Sequence, residues 1–162
     1  MERKEYDALV SAFEHAYEPL SAKAKGLSPA ELAFVPPVAD AWSITEHLVH
    51  LLDADCNLVM RLRGAVAEPG KKVPAWDPNV WEKKNNYAAS DGLACLKLAA
   101  SLRKFIADSL KTLDDQTREA AFIIHPERGN LSLTDVLSIY VGHADFHMKY
   151  LVRNLEAFAK AH

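Results

Sequence analysis

The sequence predicts an all-α protein, a four-helix bundle with a long connection between its second and third helices. Three observations predict it. Apolar residues recur at steps of three and four in four stretches of roughly twenty residues. Helix-capping signals stand at the start of the second and fourth of these stretches, and no stretch alternates apolar and polar residues convincingly enough for a sheet. The chain has 162 residues and a mass of 18.0 kDa, enough for a real core, and residues 1–162 read as one domain.

The first helix runs from Glu5 to about Lys25, with Tyr6, Leu9, Val10, Phe13, Tyr17 and Leu20 on one face and Gly26 as its stop. LSPAELAFVPPVADA, with Pro29, Pro36 and Pro37, follows as a turn and extended connection. The second helix opens at Ser43, where Ser-Ile-Thr-Glu has the form of a capping box, and Trp42 stands just before the cap. Ile44, Leu48, Leu51, Leu58 and Leu62 carry its period to about Arg63, and Gly64 supplies a stop. Residues 64–90 hold three prolines, two glycines and no sustained helical period, so they form a long connection. The third helix spans about Asp91 to Leu113, with Leu98, Leu102, Phe105, Ile106 and Leu110 on one side. AAFIIHPERGN is the one candidate for a short strand or hairpin. The fourth helix starts near Ser132, where Ser-Leu-Thr-Asp is a second capping signal, and continues to about Phe158 through Val136, Ile139, Tyr140, Tyr150, Leu151 and Leu155.

Charge and composition exclude several function classes. A net charge of −3 and a pI near 6.1 give no electrostatic reason to bind nucleic acid, which recruits basic patches. Apolar runs are broken by charge before the ~20 residues of a membrane span, and MERKEYDALV lacks the apolar core of a signal peptide. We therefore expect a cytoplasmic protein with no membrane partner. Cys56 and Cys95 are far apart and form no CxxC pair, so we read them as small buried hydrophobes rather than as a disulfide or thiolate metal site.

The chemistry points to histidine. His143 and His147 are four apart on the fourth helix, flanked by Val136, Ile139, Tyr140, Tyr150, Leu151 and Leu155, so both rings face inward and reach one ion together. Two ligands do not make a site, and packed histidines hydrogen-bonded to backbone are the plain alternative. The second helix offers His47 and His50 as a third ligand. Periodicity slightly favours His47, at the margin of the apolar stripe, because His50 falls among Glu46, Asp53 and Asn57 on the polar side. Glu46 and Asp53 are candidates for orienting a ligand or acting as a base, with Asp55 beside them. Their plain reading is a helix cap and solvated aspartates. Trp76, Trp81 and Tyr87 form a lid over the site or plug the open end of the bundle, and Tyr140 and Tyr150 read as core. His15, His125 and His162 read as surface residues.

WSITEHLVHLLDAD, after LSPAEL and a proline-containing connector, resembles the W-S-x-x-E-x-x-x-H-L-x-D signature of the DinB-like superfamily, the YfiT-type four-helix metalloproteins. GNLSLTDVLSIYVGHADFHMKYLVRNLE resembles the final helix of that family, and the two stretches cover both ends of the chain in the family's order. The resemblance implies a metal site of His50, His143 and His147, with His50 rather than His47, which requires the polar face of the second helix to line a cleft. Met148 stands where a histidine often follows the last ligand. Three imidazoles leave open positions on a divalent transition metal, zinc or nickel first and manganese or iron after them. The resemblance implies a homodimeric metal-dependent enzyme acting on a small molecule, foremost a transferase that uses a low-molecular-weight thiol. A metal-dependent hydrolase and a non-catalytic dimeric metal-binding bundle are the alternatives.

Overall fold

The expected first helix is two. α1 (Arg3–His15) and α2 (Glu18–Ala24) are separated at Ala16 and Tyr17, because Pro19 in the first turn of α2 has no N–H to donate within a helix interior. The apolar face survives the break, and Tyr6, Val10, Phe13, Tyr17 and Leu20 are all buried. The computed structural model describes residues 1–162. It also shows a short helix, α3 (Pro29–Ala33), inside the stretch expected to be extended. Ser28 caps α3: its hydroxyl accepts from the Glu31 N–H while the Glu31 carboxylate accepts from the Ser28 N–H.

α4 (Ile44–Ala67) starts at the Ser43–Glu46 capping box that the sequence signals. It passes through Gly64, and the left-handed turn residue is instead Gly70, at φ +82°, just past Pro69. The long connection is built rather than irregular. It contains β1 (Lys71–Lys72), α5 (Pro78–Lys84) capped by Asp77, and a 3₁₀ turn at Tyr87–Ala89. α6 (Gly92–Lys111) begins close against α4: a Cβ on Gly92 would lie 3.2 Å from the Thr45 carbonyl oxygen. α7 (Asp115–Ala120) is a short helix without a periodic signal long enough to read. β2 (Phe122–His125) and β3 (Gly129–Ser132) form the hairpin, and α8 (Leu133–Ala161) leaves it with Ser132 and Asp135 as capping box. β1 adds parallel to β2, giving a three-stranded sheet in the order β1-β2-β3.

The fold is thus a helical bundle of α1, α4, α6 and α8 with a small sheet at its side; α4 and α1 each pack against both α6 and α8. One face differs from expectation. Leu98 and Phe105 of α6 are about half exposed, while Leu96, Ala99, Arg103, Ile106 and Leu110 are buried. The stripe rotates because Arg103 lies inside, its Nε donating at 2.8 Å to Asp55 of α4, with both side chains fully buried. Asp55 is therefore not solvated. Cys56 is exposed and Cys95 half-buried, on outward faces of their helices, which corrects the reading of both as core. No helix is long and apolar enough to cross a membrane.

Candidate metal centre

α4 and α8 bring four imidazoles together. Every residue from Ser43 to Leu51 is buried, so this part of α4 has no solvated face, and His47 and His50 both meet α8. His143 stands at the junction: its Nε2 lies 3.0 Å from His147 Nε2 and 3.2 Å from His50 Nε2. One ligand atom from each of these three rings lies within 4.8 Å of the others.

Hydrogen bonds alone do not satisfy that convergence. A ring nitrogen of a neutral imidazole carries one in-plane lone pair or one proton, so His143 Nε2 serves one neighbour well and not two. A shared cation uses all three lone pairs. Zinc–nitrogen bonds at tetrahedral angles hold ligand nitrogens about 3.3 Å apart, close to the separations seen. The three-histidine cluster is therefore compatible with a divalent-metal site.

The rings are also kept neutral, as ligands must be. Burial lowers the His50 pKa to about 4. Burial first, and His50 and Arg103 after it, lower His143 to about 3. His147 is pushed further down, by burial and then by the other imidazoles.

His47, which periodicity favoured, stands outside the three-nitrogen group and behind it. Its Nδ1 faces His147 Nδ1 at 3.1 Å, and its ring stacks on Tyr150 with centroids 5.0 Å apart. With a cation held at its Nε2, His147 would carry its proton on Nδ1 and donate it to His47, which would fix the tautomer and the ring plane. His50 and His143 have no such support, since their Nδ1 atoms are buried without a hydrogen-bond partner. Their rings are held by packing: His50 stacks on Trp76 at 5.3 Å and lies 5.2 Å from Trp42. Asn154, fully buried on α8, donates to the Trp42 carbonyl at 2.8 Å and so ties the connector to the helix.

Glu46 and Asp53 are not drawn into this group. The Glu46 carboxylate accepts from the Ser43 N–H at 2.6 Å as a helix cap, and Asp53 accepts from the Tyr87 hydroxyl. Neither hydrogen-bonds a histidine and neither lines the cavity beside the cluster. That cavity measures about 510 Å³, in the range of small-molecule sites. Trp76 forms part of its wall and Trp81 backs Trp76 edge-on at 4.9 Å, whereas Tyr87 is buried away from it. His125, read as a surface residue, is buried and lines the cavity. The signal was present in Phe122–His125, where Ile123 and His125 are two apart and share the inward face of β2. Arg61, Arg128 and Arg153 also line the cavity, and no spacing in the sequence marks them.

Fold and site together define a helical-bundle protein with a three-histidine centre of metal-binding type. The chain belongs to the DinB superfamily, whose sequence model matches residues 12–151. Two curated relatives, from Oceanobacillus iheyensis and Bacillus subtilis, carry names that assign them provisionally to the metal-dependent hydrolases. The first is 26% identical over 110 residues, 68% of this chain and 63% of the relative. The second, YfiT, is 24% identical over 111 residues, 68% of this chain and 62% of the relative. The matched region therefore spans less than two thirds of either relative. The solved structure of YfiT from Bacillus subtilis superposes with a TM-score of 0.87 at 19% identity, covering 98% of this chain and 90% of that one. That structure is described as a four-helix bundle of unusual topology, and the likeness shows that the fold is shared.

Proposed function

We propose that this protein is a metal-dependent enzyme that transfers a group from a small molecule to a low-molecular-weight thiol. The observation that carries the reading is the convergence of His50, His143 and His147 Nε2 beside a cavity, with no carboxylate hydrogen-bonded to any of the three rings. Zinc or nickel suits three neutral imidazoles best. When bound, such an ion supplies Lewis acidity and favours the ionised form of a thiol near neutral pH.

The chain's own residues do the rest. His50, His143 and His147 present lone pairs, His47 holds the His147 ring, and Trp42, Trp76 and Phe146 line the space around them. In the balanced reaction the thiol releases its proton, an S–C bond forms as the bond from carbon to the leaving group breaks, and the leaving group takes up a proton. Hydrolysis is the second reading, favoured by the names of the two relatives. It calls for a base to take a proton from water; the candidates Glu46 and Asp53 are engaged with Ser43 and Tyr87, and the carboxylates that line the cavity, Asp40 and Glu127, hydrogen-bond none of the three histidines.

The test reloads the protein with zinc or nickel and offers glutathione, bacillithiol or mycothiol with an activated aryl halide. We expect metal-dependent consumption of one thiol by wild type, with turnover and near-equimolar metal both lost in His143→Ala. Thiol-independent ester cleavage that the same variant abolishes would favour hydrolysis. Full metal retention in His143→Ala would remove both readings.

A further inference from the structure

We infer that the cavity takes a substrate carrying an oxyanion, a carboxylate or phosphate, seated among Arg61, His125 and Arg128. The inference rests on this cavity being the substrate site of the enzyme proposed above. Three arginines and two carboxylates, Asp40 and Glu127, line the cavity. None of these arginines forms a salt bridge, in a chain where Arg3, Arg103 and Arg118 all do and acidic residues outnumber Lys and Arg by 22 to 19. Arginine left without a carboxylate on a cavity wall is a standing offer to an anion of fork-like geometry.

The three groups are arranged as donors. Arg61 is fixed by its Nη1, which donates to the Tyr140 hydroxyl at 3.1 Å, and its Nη2, which donates to the Pro74 carbonyl at 3.3 Å. Its remaining N–H groups have no partner in the chain. His125 Nδ1 accepts from the Glu127 N–H at 3.3 Å, so the neutral ring carries its proton on Nε2 and presents a donor. Burial first, and the Arg61 charge after it, hold the His125 pKa down, so the ring stays neutral. Arg128 stands exposed in the β2–β3 turn, near enough that its charge also depresses His125, against the stronger opposing effect of the adjacent Glu127 carboxylate. Only an acceptor-rich group satisfies all three at once.

The position relative to the histidines sets the ligand's size. Tyr140 receives the Arg61 hydrogen bond at its hydroxyl, while its ring centroid lies 5.9 Å from that of His143. The oxyanion therefore sits about one aromatic ring away from the metal-type centre. Val136, Ile139 and Leu131 line the cavity as well and suit an apolar body between the two ends. The ligand class is a small organic acid or phosphate ester whose reactive atom reaches the histidines.

The test titrates benzoate, phenyl phosphate and neutral benzamide into the full chain, with and without zinc, and reads binding from the fluorescence of Trp42 and Trp76. We expect at least one anion to bind about tenfold tighter than benzamide in both metal states, with Arg61→Gln and Arg128→Gln each removing most of that preference. The tighter anion identifies the oxyanion. Arg63→Gln, whose guanidinium lies over Phe105 away from the cavity, keeps the preference. Arg128, exposed on a turn, can be changed without disturbing packing, so its variant reads the subsite even if Arg61→Gln misfolds. Equal binding of anions and benzamide, or binding of neither, overturns the inference. So does an anion preference that needs zinc and survives Arg128→Gln, which would assign the anion to the metal. An anion preference in a wild-type protein that takes up no zinc would keep the subsite and sink the metal reading.

Discussion

Two buried polar clusters lie within this bundle, and they are built on opposite principles. At the Asp55–Arg103 pair, both side chains are fully buried and linked by two hydrogen bonds of 2.8 and 3.2 Å. The guanidinium lies 3.8 Å from the Tyr17 ring centroid and 4.8 Å from that of Phe13. Neither partner lines the large cavity. At the histidine cluster, His47, His50 and His147 are buried and His143 is half-buried, yet the four rings border the cavity and leave His47 Nε2, His50 Nδ1 and His143 Nδ1 unpartnered. The first cluster sets a charge against its counter-charge and fixes how α4 meets α6, although Arg103 Nη1 and the Tyr17 hydroxyl beside it also have no hydrogen-bond partner. The second gathers nitrogens of one kind that find only one another as partners within the chain. Opposite charges paired away from the cavity mark structure; like lone pairs converging beside it mark a site.

The largest effect should come from breaking the closed cluster. Asp55→Ala leaves the Arg103 charge buried and unpaired, at a cost of roughly 3–5 kcal/mol in unfolding free energy by urea denaturation. Asp55→Leu combined with Arg103→Met should recover most of it, because the pair's burial is what makes half of it so costly. If Asp55→Ala lost less than about 1 kcal/mol, the pair would be solvated and the contrast drawn here would fail.

The open cluster should show itself in acid. For metal-free protein, His50 and His143 have native pKa values near 4 and 3, both below the unfolded value of about 6.5. The unfolded chain therefore binds more protons between these values, so stability is full above about pH 6.5 and falls as pH drops toward 4. His50 alone accounts for about 3 kcal/mol across that window. A urea midpoint that stayed flat from pH 7 to 4.5 would mean the rings are solvated in the folded protein.

Much of this contrast was legible in the sequence, though unevenly. Capping boxes at Ser43 and Ser132 and the apolar steps of α4 and α8 gave the main helices, because they are local rules with local outcomes. The resemblance in WSITEHLVHLLDAD put His50 with His143 and His147, where periodicity leaned to His47. Helical spacing gives direction around an axis but not which direction faces a cavity. Asp55–Arg103 was invisible, since the partners are 48 residues apart and a charged residue in an amphipathic helix reads as solvated. The same holds for Arg61, Arg128 and His125, which come to line one cavity only once the hairpin folds beside α4.

The smallest effect separates the histidine that orients from those that converge. His47→Ala removes the acceptor from His147 Nδ1 and the ring stacked on Tyr150, but leaves His50, His143 and His147 Nε2 in place. Zinc affinity should fall by about 10–100-fold, roughly 1.4–2.7 kcal/mol, with one ion still bound at saturation. His47→Gln, whose amide oxygen can accept the same proton, should regain part of that affinity, whereas His47→Phe, which keeps only the stacked ring, should not. Recovery by phenylalanine alone would show that His47 acts through packing on Tyr150, and complete loss of stoichiometric zinc in His47→Ala would move it from behind the centre into it.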